Sequence, residues 1–122
     1  MLNSDRVALV GLGKLGLPLA ACYADAGVEV LGIDINERVV TSVNAGQCPI
    51  AEPGLAELIA KHGGKGLSAS TDHRRAIHET DVTIILVSTP SDGEGSFSNK
   101  YIEAALTSLA EVLHDSDKPD HL

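Results

Sequence analysis

Short apolar runs alternate with stretches of helical periodicity along most of the chain. The runs that predict strands cover residues 6–10, 28–33, 67–69 and 81–87. Between and after them, apolar side chains recur every three or four positions, which is the spacing of amphipathic helices. The helices predicted in this way cover 14–26 and 37–45, begin at Pro53, end at Ile77, and cover 100–114.

The inward faces of these helices follow from the same spacing. Leu15, Leu19, Tyr23 and Ala26 share the first helix, and Ile102, Leu106, Leu109 and Leu113 are expected to face the core from the last one. Asn36 and either Thr71 or Asp72 precede helices as candidate N-caps, because their side-chain oxygens can accept hydrogen bonds from backbone N–H groups of the first turn.

The alternation of strands and helices predicts an α/β fold with parallel βαβ units and right-handed crossovers. The run 81–87 is apolar on both faces, which is typical of a central strand. Only four strands are predicted, so we expect residues 1–122 to form an incomplete domain in which the fourth strand has an exposed edge.

Composition excludes several classes of function. The formal net charge is −8, and an acidic chain repels the phosphate backbone of nucleic acids. No apolar run approaches the length of a membrane span. Two cysteines, Cys22 and Cys48, lack a metal-type spacing, and we interpret them as free thiols of a cytoplasmic protein. The five histidines are interpreted as surface residues, so no metal site is predicted.

A glycine-rich motif, GLGKLG, connects the first strand to the first helix. In the context of strand, turn and helix, G-x-G-x-x-G is the fingerprint of a dinucleotide-binding loop. Gly11 permits the tight turn, Gly13 lets the backbone approach a pyrophosphate, and Gly16 lets the helix pack on the sheet. Lys14 and Leu15 lie inside the motif and belong to the same predicted site; the Lys14 cation either approaches the pyrophosphate or is solvated.

An acidic residue, Asp34, ends the second strand at the position expected for a ribose-binding carboxylate. Such a carboxylate accepts hydrogen bonds from ribose hydroxyls and repels a 2′-phosphate, so NAD is favoured over NADP. We expect Asp34 to face solvent. Arg38, one helical turn later, either stacks on adenine, pairs with Asp34 or is simply exposed.

The fourth strand leads into Ser88, Thr89 and Pro90. In a doubly wound sheet of order 3-2-1-4, the Rossmann type, ligands bind where the carboxyl ends of strands 1 and 4 meet. Thr89 would then offer a hydroxyl to the cofactor, unless this segment is an ordinary exit from the strand. The following loop, 91–99, either closes over the site or is a surface loop.

Three segments together resemble one family. They are VALVGLGKLGLPLA, GIDINERVVTSVNAGQCPIAEPGL and STDHRRAIHETDVTIILVSTPSDGEGSFSNKYIEAA. They are similar, in order, to the N-terminal half of the UDP-glucose/GDP-mannose dehydrogenase family, over residues 6–113 and with a likeness to its UDP-N-acetylmannosamine dehydrogenases. The pattern NxGxxPxxEPGL is much more specific than the glycine motif. Two positions depart from the family: Lys14 replaces an aromatic residue, and Ser88 stands where proline is common.

The resemblance implies a Rossmann NAD-binding domain of an enzyme that oxidises the C6 alcohol of a nucleotide sugar to a carboxylate with two NAD. It implies NAD contacts for Gly11, Gly13, Gly16, Asp34, Arg38 and Thr89. It also implies polysaccharide biosynthesis as the setting and a homodimer for the whole enzyme. The family's catalytic cysteine, its lysine partner and its sugar-binding domain lie beyond residue 122. No catalytic residue is therefore expected in this chain, and the chain alone is expected to be inactive. The alternative hypothesis is a non-catalytic module that senses a dinucleotide or binds a partner.

Overall fold

The computed structural model describes residues 6–86 and six helical positions, 103, 106, 107, 109, 110 and 111. The elements from residue 6 to residue 86 are β1 (Arg6–Val10), α1 (Gly16–Asp25), β2 (Glu29–Ile33), α2 (Glu37–Asn44), α3 (Leu55–His62), β3 (Leu67–Ser70), α4 (His73–Glu79) and β4 (Val82–Ile85). Strands and helices alternate, and two helices, α2 and α3, follow each other before β3, as the apolar pattern predicts.

The four strands form one parallel sheet in the order β3-β2-β1-β4. This order confirms the prediction of a Rossmann-type doubly wound α/β fold. Val10 lies beside Ile33 on one side and Ile85 on the other. The carboxyl ends of β1, β2 and β4 therefore reach the same edge of the sheet, which is the edge that carries the glycine motif.

Aliphatic side chains on both faces of the sheet form the core. One cluster joins Leu9 and Val30 to residues of α1, α2 and α3, including Leu17, Val43 and Ile59. The second cluster lies on the other face, where Ala8, Val10, Leu31 and Ile33 contact Ala76, Ile77 and Leu109. Leu109 shows that the described part of the last helix covers this second face.

Small residues and Leu17 line the buried side of α1, which agrees only in part with the predicted face, because Leu19 and Tyr23 pack half-buried against the same core. The buried positions are Gly16, Leu17, Ala20, Ala21 and Ala24. Leu15 precedes the helix and is 74% exposed, so its assignment to the inward face is wrong. The helix leaves the glycine loop close to the sheet, and small side chains permit that approach.

The other boundaries in the described range differ from the predictions by at most two residues. Pro53 does not begin a helix, because Gly54 adopts a left-handed conformation (φ 79°) and α3 starts only at Leu55. The cap of α4 is Asp72, whose carboxylate accepts from the Arg74 N–H. Leu106 is 50% exposed rather than inward-facing.

The fourth strand lies at an edge of the described sheet, and all four of its residues are half-buried. Its two-sided apolar pattern predicted a central strand, which is wrong for the described sheet, because β1 lies between β2 and β4. The expected order 3-2-1-4, with the fourth strand at an edge, agrees with the described sheet. Ile102 and Leu113 lie outside the described residues. None of the helices in the described part has the length and apolar character needed to cross a membrane.

Candidate functional site

The three glycines of the loop between β1 and α1 differ in what their missing side chains allow. Gly11 has a positive φ of 105°, which L side chains rarely adopt. A Cβ on Gly16 would overlap the carbonyl oxygen of Gly11, so the first turn of α1 packs directly on the loop backbone. A Cβ on Gly13 would have no described atom within 4 Å. Gly11 and Gly16 therefore shape the loop, whereas Gly13 borders open space.

Backbone donors at this open space have no partner among the described residues. The N–H groups of Gly13, Lys14 and Leu15 donate no hydrogen bond there, and α1 has neither a side-chain cap nor an acidic residue in its first turn. By contrast, α2 and α4 are capped by Asn36 and Asp72. Unpaired N–H groups at the start of a helix attract anions, because the helix dipole is positive at that end. The loop therefore fits a phosphate group.

The loop is fastened to the end of β2 by three contacts. The Gly11 N–H donates to the carbonyl oxygen of Ile33 at 2.7 Å. The Leu12 N–H donates to Oδ2 of Asp34 at 2.8 Å. The Leu12 side chain is 1% exposed and lies over Gly32, where a Cβ would come within 2.7 Å of it. The conformation of the loop is thus set by residues 32–34.

Asp34 is half-buried, whereas the sequence predicts a strand-end residue that faces solvent. Its two carboxylate oxygens accept from different segments, Oδ2 from Leu12 N–H and Oδ1 from Asn36 N–H at 2.9 Å. A carboxylate offers about four acceptor positions, so two remain for hydroxyl groups of a ligand. The site can therefore hold a phosphate and a diol side by side.

Arg38 lies on the exposed side of the first turn of α2. Its backbone N–H donates at 3.0 Å to Oδ1 of Asn36, which is the N-cap of this helix. Among the described residues, its guanidinium forms no ion pair with Asp34. Pairing with Asp34 was one of three predicted roles, and the structure leaves the side chain accessible to a ligand instead.

The remaining predicted site residues, Ser88, Thr89 and Pro90, lie outside the described residues, as does the loop 91–99. The last described residue before them, Leu86, donates its N–H to the carbonyl oxygen of Val10 at 2.7 Å. β4 therefore reaches the same edge as the glycine loop, and the prediction for these three residues stays a prediction.

In the described part of the chain, Cys22, Cys48 and His62 form no hydrogen bond with the glycine loop. Cys22 is exposed on α1, and Cys48 is half-buried with its Sγ 3.0 Å from the Ile50 carbonyl oxygen. His62 Nε2 contacts Asp25 Oδ1 at 3.0 Å where α1 and α3 end. In the part of the chain that the structure describes, no three His, Cys, Asp or Glu side chains are grouped so that they could hold a metal ion.

The two largest features that sequence reasoning missed are contacts of single side chains. The first is the hydrogen bond from the Leu12 N–H to the Asp34 carboxylate. The signal that could have found it is the parallel register of Val10 with Ile33, because this register brings the residues that follow the two strands close together. The second is Asn44, the first residue of NxGxxPxxEPGL. Its amide accepts from the Ala69 N–H at 2.8 Å and donates to the Ala69 carbonyl oxygen at 2.9 Å. Asn44 therefore pairs with β3 at the edge of the sheet.

Comparisons with known proteins agree with this geometry. Residues 5–118 match the model of the UDP-glucose/GDP-mannose dehydrogenase family, NAD binding domain. The UDP-glucose 6-dehydrogenase of Haloferax volcanii is 41% identical over 112 residues, which are 92% of this chain and 26% of that protein.

Two solved structures are similar as well. A GDP-mannose dehydrogenase from Pseudomonas aeruginosa, in a ternary complex, has 33% identity and a TM-score of 0.88 over 93% of this chain and 26% of its own. The UDP-N-acetyl-mannosamine dehydrogenase of Staphylococcus aureus has 35% identity and a TM-score of 0.77 over 88% of this chain and 26% of its own. The chain thus spans about a quarter of the length of these relatives. It belongs to the UDP-glucose/GDP-mannose dehydrogenase family and corresponds to the family's NAD binding domain.

Proposed function

We propose that the chain holds NAD at its glycine loop, as the N-terminal part of a nucleotide-sugar 6-dehydrogenase. The observation that carries the proposal is the pairing of an open anion site with a carboxylate. Gly13 borders open space beside three N–H groups that have no acceptor among the described residues, and Asp34 lies next to them with acceptor positions to spare. A dinucleotide presents the matching pair of groups, a pyrophosphate and a ribose diol.

Each residue has a distinct part in this binding mode. The backbone of Gly13, Lys14 and Leu15 would donate to the pyrophosphate, with Gly13 allowing the close approach. Asp34 would accept from the ribose hydroxyls and disfavour a 2′-phosphate. Arg38 is free to lie against the adenine, and the Lys14 ammonium adds positive charge near the phosphates. We retain Ser88, Thr89 and Pro90 as the proposed contacts from the β4 side.

The substrate is proposed to be a nucleotide sugar whose C6 alcohol becomes a carboxylate. That conversion removes four electrons, and NAD supplies the hydride acceptor for each of two steps. Relatives named for UDP-glucose, GDP-mannose and UDP-N-acetyl-mannosamine resemble the chain at 41%, 33% and 35% identity. These similarities support the class of substrate and leave the individual sugar open.

No residue of this chain is assigned a catalytic role. Cys22 is exposed on α1 and Cys48 Sγ donates to the Ile50 carbonyl oxygen; among the described residues, neither thiol has a hydrogen bond to a base that could activate it as a nucleophile. We therefore propose that the chemistry depends on further parts of the enzyme, and that the 122 residues alone do not turn over a nucleotide sugar. We further propose a homodimeric, cytoplasmic enzyme of polysaccharide biosynthesis, on the strength of the resemblance.

The proposal is tested by a pair of matched glycine substitutions. Gly13 and Gly66 both have ordinary φ values and open space where a Cβ would stand, but Gly66 lies at the opposite end of the sheet, just before β3. Because a valine at Gly13 would occupy the space for phosphate, G13V should weaken NAD binding by about 100-fold or more in titration calorimetry. G66V should bind NAD like the wild type.

Circular dichroism of both variants should match the wild type, because neither side chain meets a neighbour. Equal NAD affinities for G13V and G66V would contradict the assignment of the phosphate to this loop.

A further inference from the structure

We propose that Asp34 is a positioning residue for the phosphate loop, in addition to its contact with ribose. This inference rests on the proposed function and deepens it, because it assigns to one carboxylate both the choice of cofactor and the geometry of the neighbouring phosphate site. The observation behind it is that Oδ2 of Asp34 accepts the Leu12 N–H at 2.8 Å, across 22 residues of sequence.

Leu12 stands between Gly11, whose positive φ shapes the loop, and Gly13, which borders the open space. Its side chain is fully buried over Gly32, so the residue is fixed from one side by packing. Its N–H is fixed from the other side by a charge-assisted hydrogen bond, which is shorter and stronger than a neutral one. Gly13 follows directly and is exposed; its carbonyl oxygen accepts the Leu17 N–H at 3.0 Å, but its own N–H donates to no described residue. The direction of the Gly13 N–H is therefore set through Leu12.

Through its second carboxylate oxygen, Asp34 connects the glycine loop to the start of α2. Oδ1 accepts the Asn36 N–H at 2.9 Å, and Asn36 caps α2 through the Arg38 N–H at 3.0 Å. The glycine loop and the first turn of α2 are thus held in one arrangement by a single side chain. The positions of residues on both sides of the proposed adenosine site are therefore set by Asp34 before any ligand is bound.

A consequence follows for ligands that do not contain ribose. If Asp34 served only the ribose, its removal would leave inorganic pyrophosphate binding unchanged or make it tighter, because a negative charge near a polyanion is lost. If Asp34 positions the loop, its removal weakens pyrophosphate binding despite the lost negative charge. The two roles therefore predict opposite signs.

The experiment compares D34A, D34N and D72A in the 122-residue chain. Asp72 is the matched control, because it also follows a strand and accepts the backbone N–H of the residue two positions later, but does not contact the glycine loop. The first measurement is amide hydrogen exchange of Leu12 by NMR in the ligand-free chain. D34A should exchange at least about tenfold faster than the wild type at this amide, and D72A should not.

The second measurement is titration with inorganic pyrophosphate, followed by the amide shift of Gly13. D34A should bind it at least about threefold more weakly, while D72A should bind it like the wild type. D34N keeps one side-chain oxygen that can accept the Leu12 N–H, so it should lie closer to the wild type than D34A in both measurements.

Unchanged Leu12 exchange in D34A, or unchanged or tighter pyrophosphate binding, would overturn the inference, as would equal impairment of D34N and D34A. Should D34A fail to fold, the wild type alone still decides: its Leu12 amide must exchange at least about tenfold slower than the acceptor-free amides of Gly13, Lys14 and Leu15. A wild-type chain that does not bind NAD would contradict the proposed function, whereas the Leu12 exchange needs no ligand and tests the positioning role separately.

Discussion

At the scale of single residues, the glycine motif separates into positions that build the loop and a position that leaves room for a ligand. Gly11 and Gly16 were expected to serve the turn and the packing of the helix, and their geometry confirms both. The sequence could not reveal the second role of Asp34, because a hydrogen bond to a residue 22 positions earlier depends on the sheet register. Spacing alone identified Asp34 as a strand-end carboxylate.

The loop-building glycine is predicted to matter for stability rather than for binding alone. A methyl group on Gly16 would overlap the Gly11 carbonyl, which is backbone and cannot rotate away. G16A should therefore lower the free energy of unfolding by about 3 kcal/mol, the upper part of the range for overpacking. G13A should change it by less than about 1 kcal/mol. Urea unfolding of both variants checks this, and similar losses in the two would contradict the division of roles.

At the scale of secondary structure, the strands and most helices could be predicted because each carries its own apolar period and its own cap. Asn36 and Asp72 cap α2 and α4, as the sequence indicated. The buried face of α1 could be predicted only in part, because it depends on neighbours. The edge position of β4 followed from the expected strand order 3-2-1-4 and not from its own apolar pattern. α1 presents small residues to the sheet it starts beside, and β4 is apolar on both faces yet lies at an edge of the described sheet.

The edge of β3 is predicted to depend on Asn44. The Asn44 side-chain amide forms hydrogen bonds with both the N–H and the carbonyl oxygen of Ala69, as the backbone of a neighbouring strand would. N44A should lower the free energy of unfolding by about 1–3 kcal/mol, because it leaves a part-buried donor and acceptor unpaired. It should also accelerate amide exchange at Ala69.

N36A is the matched control for this prediction. It removes the cap of α2 and should cost about 1 kcal/mol, without accelerating exchange at Ala69. Exchange at Ala69 that is equal in N44A and N36A would show that the amide pairing does not protect this edge.

The ends of α1 and α3 are joined by an acid-sensitive contact. Hydrogen bonds from His62 and Lys61 hold the pKa of Asp25 below its ordinary range. A carboxyl group with a lowered pKa in the folded state stabilises the fold above its unfolded pKa, and this contribution is lost as the pH falls towards the folded pKa. The wild type should therefore lose stability more steeply than D25N between about pH 5 and about pH 3. Urea midpoints across this range measure the effect, and parallel pH profiles would contradict it.

At the scale of the whole molecule, the family and the Rossmann order of the sheet could be read from sequence because the motifs lie at the turns that define the fold. The strand order β3-β2-β1-β4 brings the glycine loop, Asp34 and the exit of β4 to one edge. The sugar and the catalytic groups could not be assigned from this chain, because it spans about a quarter of its relatives. The cofactor site is therefore the part of the proposed function that this chain carries.

Parallel titration calorimetry of the 122-residue chain with NAD and with NADP tests that site most directly. A carboxylate at Asp34 would face the 2′-phosphate of NADP, and like charges in contact cost several kcal/mol. We expect saturable binding of one NAD per chain, with an affinity at least about tenfold higher than that for NADP. Absence of saturable NAD binding, or an equal or higher affinity for NADP, would contradict the account.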